Sequence, residues 1–197
     1  MSKIKVISGC YGGRFIDTIE GVKTRPTSSR AKEAIFSAIT SLRASCGGFK
    51  GARVLDLFAG SGALGIESLS RGAVFSLFCE INNVAMKTIS NNLKSLGIDE
   101  DCYGTLRKNS FSKEALDEIA QRKPFDIVFL DPPYSIESDN IISLIETLQN
   151  RDVVSQKTLI YLERRSCDLE EVADYNLEVL YKKKFGEVGC LIFRLNQ

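Results

Sequence analysis

The 197 residues contain no histidine. That absence excludes Ser-His-Asp triads, proton transfers through imidazole and zinc sites built on His. The six cysteines (Cys10, Cys46, Cys79, Cys102, Cys167, Cys190) are scattered and form no CxxC pair. They read as reduced thiols of a cytoplasmic protein, with no metal expected. No apolar run approaches the roughly 20 residues that span a bilayer. The N-terminus lacks an apolar signal segment, so neither a membrane nor secretion is expected. A 44% hydrophobic and 26% charged composition excludes disordered, collagen-like and coiled-coil chains. The length fits one domain, or one domain with a small appendage.

The formal net charge of +1 conceals an asymmetry. Through Lys50, nine basic residues face three acidic ones (Asp17, Glu20, Glu33), a net +6 that leaves −5 for the other 147 residues. A basic first quarter on a mildly acidic body suits a polyanion, although charge alone names no ligand.

From Arg53 onward, short apolar runs alternate with helical patterns. Arg53–Leu57, Val74–Glu80, Cys102–Leu106, Phe125–Leu130 and Thr158–Leu162 predict strands. Ala63–Arg71, Asn83–Leu96, Phe111–Ala120 and Asp139–Leu148 predict the helices between them. Leu177–Phe185 and Cys190–Leu195 flank Gly186–Gly189 and predict a β-hairpin. The alternation implies an α/β fold with right-handed crossovers and a mostly parallel sheet, to which the hairpin adds an antiparallel edge. The first quarter differs. Lys3–Ser8 and Phe15–Ile19 predict a small hairpin, followed by a helix from about Ser28 to Ser41 with Thr27 or Ser28 as N-cap. Residues 1–50 are therefore expected to be a basic hairpin-and-helix extension, and 51–197 the α/β domain.

Gly60, Gly62 and Gly65 follow the first of these strands and lead into a helix. Glycines there let the backbone turn tightly and approach a ligand, while the helix start presents free N–H groups. Glu80 ends the next strand eighteen residues past Gly62, where a carboxylate can hold a ribose diol. Both a nicotinamide dehydrogenase and an S-adenosylmethionine (SAM) enzyme fit these features. Asp56, four residues before Gly60, favours SAM. A carboxylate suits the cationic amino-acid end of that molecule, whereas a dinucleotide site wants backbone clear for a pyrophosphate.

Asp131-Pro132-Pro133-Tyr134 ends the fourth strand of the domain, at the edge where open α/β sheets bind ligands. The prolines fix φ and remove donors, leaving rigid carbonyls. The Asp131 carboxylate and the Pro132 carbonyl can accept from a target amino group while Tyr134 stacks on a base. Two such acceptors aim the amine lone pair at an electrophilic methyl, so alignment supplies most of the catalysis and no imidazole is required.

The combination resembles the class I SAM-dependent methyltransferases that modify amino groups. Gly13-Arg14, Thr24-Arg25-Pro26-Thr27, Arg30, Glu33 and Ile35-Phe36 narrow the likeness. From Ile7 to the final hairpin, the chain resembles the RsmD family, which methylates the N2 amine of a guanine in bacterial 16S ribosomal RNA. The resemblance implies a Rossmann-like fold with a seven-stranded, mostly parallel sheet and SAM as cofactor. It implies a SAM loop of Asp56, Phe58, Gly60, Ser61 and Gly62, with Glu80 on the ribose and Ile81 beside the adenine. Asn109 and Ser110 match the position that reads the adenine ring or its amine. Asp131, Pro132 and Tyr134 would form the catalytic pocket. Thr27 would close over the cofactor, and Arg14, Arg25 and Arg30 would meet RNA. The implied partner is 16S rRNA or a small-subunit assembly particle, met by a monomer. Two departures stand out: Cys10–Arg14 is less basic than the family's hairpin, and Asn82-Asn83 replace charged residues after Glu80. An N6-adenine DNA methyltransferase uses the same tetrad, but this chain is too short for a large target-recognition domain. An RNA-binding assembly factor with a vestigial site is the other alternative, and intact Asp56, Glu80 and Asp131 argue against it. The tetrad disfavours a dehydrogenase.

Overall fold

The computed structural model describes residues 2–19, 29–173, 175 and 177–196. Two short strands, β1 (Lys3–Lys5) and β2 (Phe15–Asp17), form the expected first hairpin and are followed by helix α1 (Ser29–Leu42). The alternating region then runs β3 (Arg53–Asp56), α2 (Ala63–Ser70), β4 (Phe75–Cys79), α3 (Asn83–Leu96), β5 (Tyr103–Leu106), α4 (Lys113–Ala120), β6 (Ile127–Leu130), α5 (Ser138–Asn150) and β7 (Leu159–Arg165). A short α6 (Leu169–Ala173), which the apolar pattern does not announce, precedes β8 (Leu177–Phe185) and β9 (Val188–Leu195). The expected cap positions Thr27 and Ser28 lie outside the described residues.

Among the described residues, seven strands form one sheet in the order β5-β4-β3-β6-β7-β9-β8. The first five are parallel, and β9 runs antiparallel to both of its neighbours. The final strand therefore inserts between β7 and β8, so that β8 forms one edge of the sheet and β5 the other. Lys182, Lys183 and Lys184 of β8 are exposed, as suits an edge that must not pair with another chain. The strand order reverses between β3 and β6, and open α/β sheets bind ligands outside the carboxyl ends of strands at such a switch.

Helices cover both faces. Leu116 and Ile119 of α4, Ile141 and Ile145 of α5, and Leu169 of α6 pack on one side. On the other, Phe36 and Ile39 of α1, Ile66 of α2 and Ile89 and Leu93 of α3 share a core with Val6 and Ile16 of the hairpin region. The Phe36 ring lies 5.7 Å from that of Phe129 on β6, so α1 is packed directly on the sheet. Glu67 of α2 fastens this side together. Fully buried, it accepts the Ile7 and Ser8 N–H groups at 2.7 and 3.1 Å and pairs with Arg71 at 2.9 Å and Lys32 at 3.5 Å. A buried carboxylate is tolerable only with this many donors around it.

Candidate active site

β3 delivers Asp56 to the carboxyl edge, where it is 1% exposed. Its Oδ2 accepts the Gly65 N–H at 3.1 Å, satisfying one of the amides that the first turn of α2 leaves over. Its Oδ1 is buried with no hydrogen-bond partner. Burial, opposed by the Gly65 N–H and assisted by the charge of Glu80, pushes the carboxyl up to about 7. An orphaned buried carboxylate oxygen at a ligand-binding edge wants a cation.

The glycine turn is built for a close ligand. Gly60 and Gly62 have φ of +53° and +82°, and a Cβ at Gly60 would meet nothing within 4 Å. Gly65 serves packing instead, since a Cβ there would fall 2.3 Å from the Phe78 ring on β4. Glu80 anchors the turn, accepting the Gly60 N–H through Oε2 and the Asn82 N–H through Oε1, both at 2.8 Å. Asn82 itself is the N-cap of α3, accepting from Val84 and Ala85, which explains an uncharged residue at this point. Ser61 is fixed through its carbonyl by Asn92, whose amide also donates to the Asp17 carbonyl, each at 3.0 Å. Asn92 thus ties the turn to the N-terminal hairpin.

Phe58 is half-buried against Phe111, with ring centroids 5.9 Å apart. Ile81 and Val84 are 61% and 60% exposed, an apolar shelf directly beyond Glu80. Asn109 is exposed, and its Oδ1 accepts the Phe111 N–H at 3.0 Å. Ser110 is buried; its hydroxyl donates to the Leu57 carbonyl and lies 3.3 Å from Cys79 Sγ, tying the ends of β3 and β4 from inside.

One strand away, Asp131 leaves β6 half-buried, followed by buried Pro132 and exposed Pro133 and Tyr134. Burial first, then the charges of Glu163 and Asp56, push the Asp131 carboxyl well above the usual carboxylate range. The Arg165 guanidinium sits 5.4 Å from the Tyr134 ring centroid. Glu163, 3% exposed, accepts the Tyr161 hydroxyl at 2.7 Å. Glu163 is not marked by the sequence pattern, in which the apolar strand ends at Leu162. The available signal was an acid directly after an apolar strand, the same placement that marks Glu80 and Asp131.

Of the arm residues, Arg25 and Thr27 lie outside the described residues, and Arg30 is exposed on the first turn of α1. Arg14 is engaged within the protein, donating to the Leu96 and Ser95 carbonyls at 3.1 and 2.6 Å where α3 ends. A cation there complements both the leftover carbonyls and the helix dipole.

Residues 4–194 match the family described as Conserved hypothetical protein 95. The chain is 34% identical to a Bacillus subtilis protein provisionally named rRNA methyltransferase YlbH, over 97% of this chain and 98% of that one. It is 32% identical to ribosomal RNA small subunit methyltransferase D of Buchnera aphidicola, over 98% and 93% of the two chains. Among solved structures, one from Escherichia coli provisionally described as methyltransferase yhhF superposes with a TM-score of 0.75 at 26% identity, covering all of both chains. With its strand order and carboxylate-lined switch point, this chain belongs to the conserved hypothetical protein 95 family and is an RsmD-like methyltransferase.

Proposed function

We propose that the protein transfers a methyl group from SAM to the exocyclic N2 amine of a guanine in 16S rRNA. The observation that carries this reading is the pairing of a cation-seeking carboxylate, Asp56, with a rigid acceptor pair, Asp131 and Pro132, at the ends of adjacent strands. When bound, SAM supplies a methyl group on a sulfonium centre that leaves as a neutral thioether.

Asp56, whose Oδ1 is buried without a partner, would hold the ammonium of the methionine end, and the open backbone at Gly60 would admit the ligand. Each Glu80 oxygen already takes one backbone N–H, which fixes the carboxylate and leaves lone pairs for ribose hydroxyls. Ile81 and Val84 would offer the adenine an apolar shelf, and Asn109 and Ser110 would read its ring or amine. At the target, Asp131 and the Pro132 carbonyl accept the two N–H bonds of the amine, and Tyr134 stacks on the base. Held so, the nitrogen lone pair points out of the purine plane toward the methyl carbon. As the N–C bond forms, the amine must lose one proton. Asp131, crowded by burial and by Glu163, is a better proton acceptor than an ordinary aspartate. Relatives named for small-subunit rRNA support the substrate. The +6 charge of the first fifty residues supports an RNA contact, to which Arg25 and Arg30 would contribute.

Calorimetry and nucleoside mapping test this together. SAM and S-adenosylhomocysteine should bind and NAD should not. Small-subunit rRNA from a strain lacking the gene should lose one N2-methylguanosine that the purified protein restores. Binding of NAD without SAM, or an unchanged nucleoside profile, would overturn the proposal.

A further inference from the structure

The carboxyl edge of β7 carries a second carboxylate, Glu163, that touches neither the transferred methyl group nor the N2 amine. β6 and β7 run parallel with Phe129 opposite Tyr161 and Leu130 opposite Leu162. The next residues, Asp131 and Glu163, therefore stand side by side. Side chains alternate along a strand, so both follow Phe129 and Tyr161, whose rings meet at 5.7 Å, on the face that also bears Asp56. Glu163 is nearly fully buried, and the Tyr161 hydroxyl fixes its orientation at 2.7 Å. Two adjoining carboxylates form a row of acceptors that a ligand with neighbouring N–H donors matches.

We propose that Glu163 selects guanine by accepting its N1–H while Asp131 and the Pro132 carbonyl hold the N2 amine. The inference rests on guanine N2 as the target. A base extruded into an active site is read on its Watson–Crick edge. Guanine presents N1–H and the N2 amine there as neighbouring donors, whereas adenine presents its N6 amine beside an N1 lone pair. The row Asp131–Glu163 matches the first pattern and opposes the second. The Asp-Pro-Pro-Tyr tetrad treats the two amines alike, so discrimination falls to the neighbour on β7. A carboxylate has about four acceptor positions, so the contacts Glu163 already makes, the Tyr161 hydroxyl among them, are compatible with a further one from N1–H.

The test uses 16S rRNA ligated to carry either guanine or 2-aminopurine at the mapped position. 2-Aminopurine keeps the exocyclic amine but turns N1 from donor into acceptor. Wild-type protein should favour guanine in kcat/KM by about 10²-fold or more, as sites built on a specific hydrogen bond do. Glu163→Gln can rotate its amide N–H toward N1, so the preference should fall about tenfold or more, with SAM affinity unchanged. Equal use of both bases by the wild type overturns the role of Glu163 while leaving N2 methylation standing. A folded Glu163→Gln protein that keeps the wild-type preference also overturns it. Failure of the wild type to methylate guanine RNA overturns the parent reading instead. Should the variant not fold, the wild-type comparison decides alone.

Discussion

The two halves of the carboxyl edge handle negative charge in opposite ways. On the β3–β4 side, main-chain amides hold the carboxylates: Gly65 donates to Asp56, and Gly60 and Asn82 donate to Glu80. On the β6–β7 side, Glu163 takes a side-chain hydroxyl, and Asp131 is raised by burial and by its acidic neighbours. Fixed amides preorganise a receptor for a ligand that is always the same. Crowded carboxylates are better proton acceptors and respond sharply to the arrival of N–H donors. The first arrangement suits a cofactor and the second a reacting base.

Asp56 has some of both characters, and it yields the largest expected effect. Its folded-state value of about 7 lies above the ordinary 3.8, so the folded protein binds more protons than the unfolded chain between these values. Stability without ligand should therefore be highest below pH 3.8 with respect to this group and fall as pH rises to about 7, by on the order of 4 kcal/mol. Asp56→Asn should remove that loss, leaving the variant more stable than wild type in urea at pH 8 while weakening SAM binding. If the variant is no more stable at pH 8, the carboxylate is not held at a cost.

Next comes the target side. Asp131→Ala should slow single-turnover methylation about 10²-fold or more through misalignment of the amine, with SAM affinity nearly intact. Asp131→Asn keeps an acceptor oxygen and should retain more activity than alanine. Calorimetry run beside the kinetics separates the two halves of the edge; loss of SAM binding in the alanine variant would erase the contrast between them.

Glu80→Ala should weaken SAM binding by roughly 1.5–3 kcal/mol, the range for hydrogen bonds to a charged group. Because Glu80 also anchors Gly60, the variant should lose some thermal stability, which a pure ribose contact would not predict. Unchanged affinity would assign the ribose to another residue.

The smallest effects separate two arginines of the arm. Arg14→Ala should cost about 1 kcal/mol of stability by freeing the end of α3. Arg30→Ala should leave stability unchanged but reduce the salt slope of RNA binding by about one phosphate contact. Equal melting temperatures for the two variants would mean that the Arg14 cap contributes nothing.

Much of this was legible beforehand. α3 spans Asn83–Leu96 as its spacing predicts, because Asn82 and Gly97 cap it from the sequence itself. The glycine turn and the proline-stiffened tetrad could be placed because backbone constraint is written in residue type. Glu163 is harder, since an apolar run stops at its first charge, whereas β7 continues to Arg165. Ser110 and Arg14 show a second blind spot: the sequence shows a hydroxyl or a guanidinium but not which carbonyls it meets. Glu67 and Asn92 belong to the same class. Both are buried polar anchors whose partners in the N-terminal hairpin region lie about 60 to 75 residues away in the chain.

The most direct test of the account is the identity of the methylated nucleoside after one turnover with SAM and unmodified small-subunit rRNA. Digestion and mass spectrometry should reveal N2-methylguanosine with wild-type protein and little or none with Asp131→Ala at saturating SAM. N6-methyladenosine in its place, or an alanine variant as fast as wild type, would contradict the assignment of the β6–β7 edge to guanine N2.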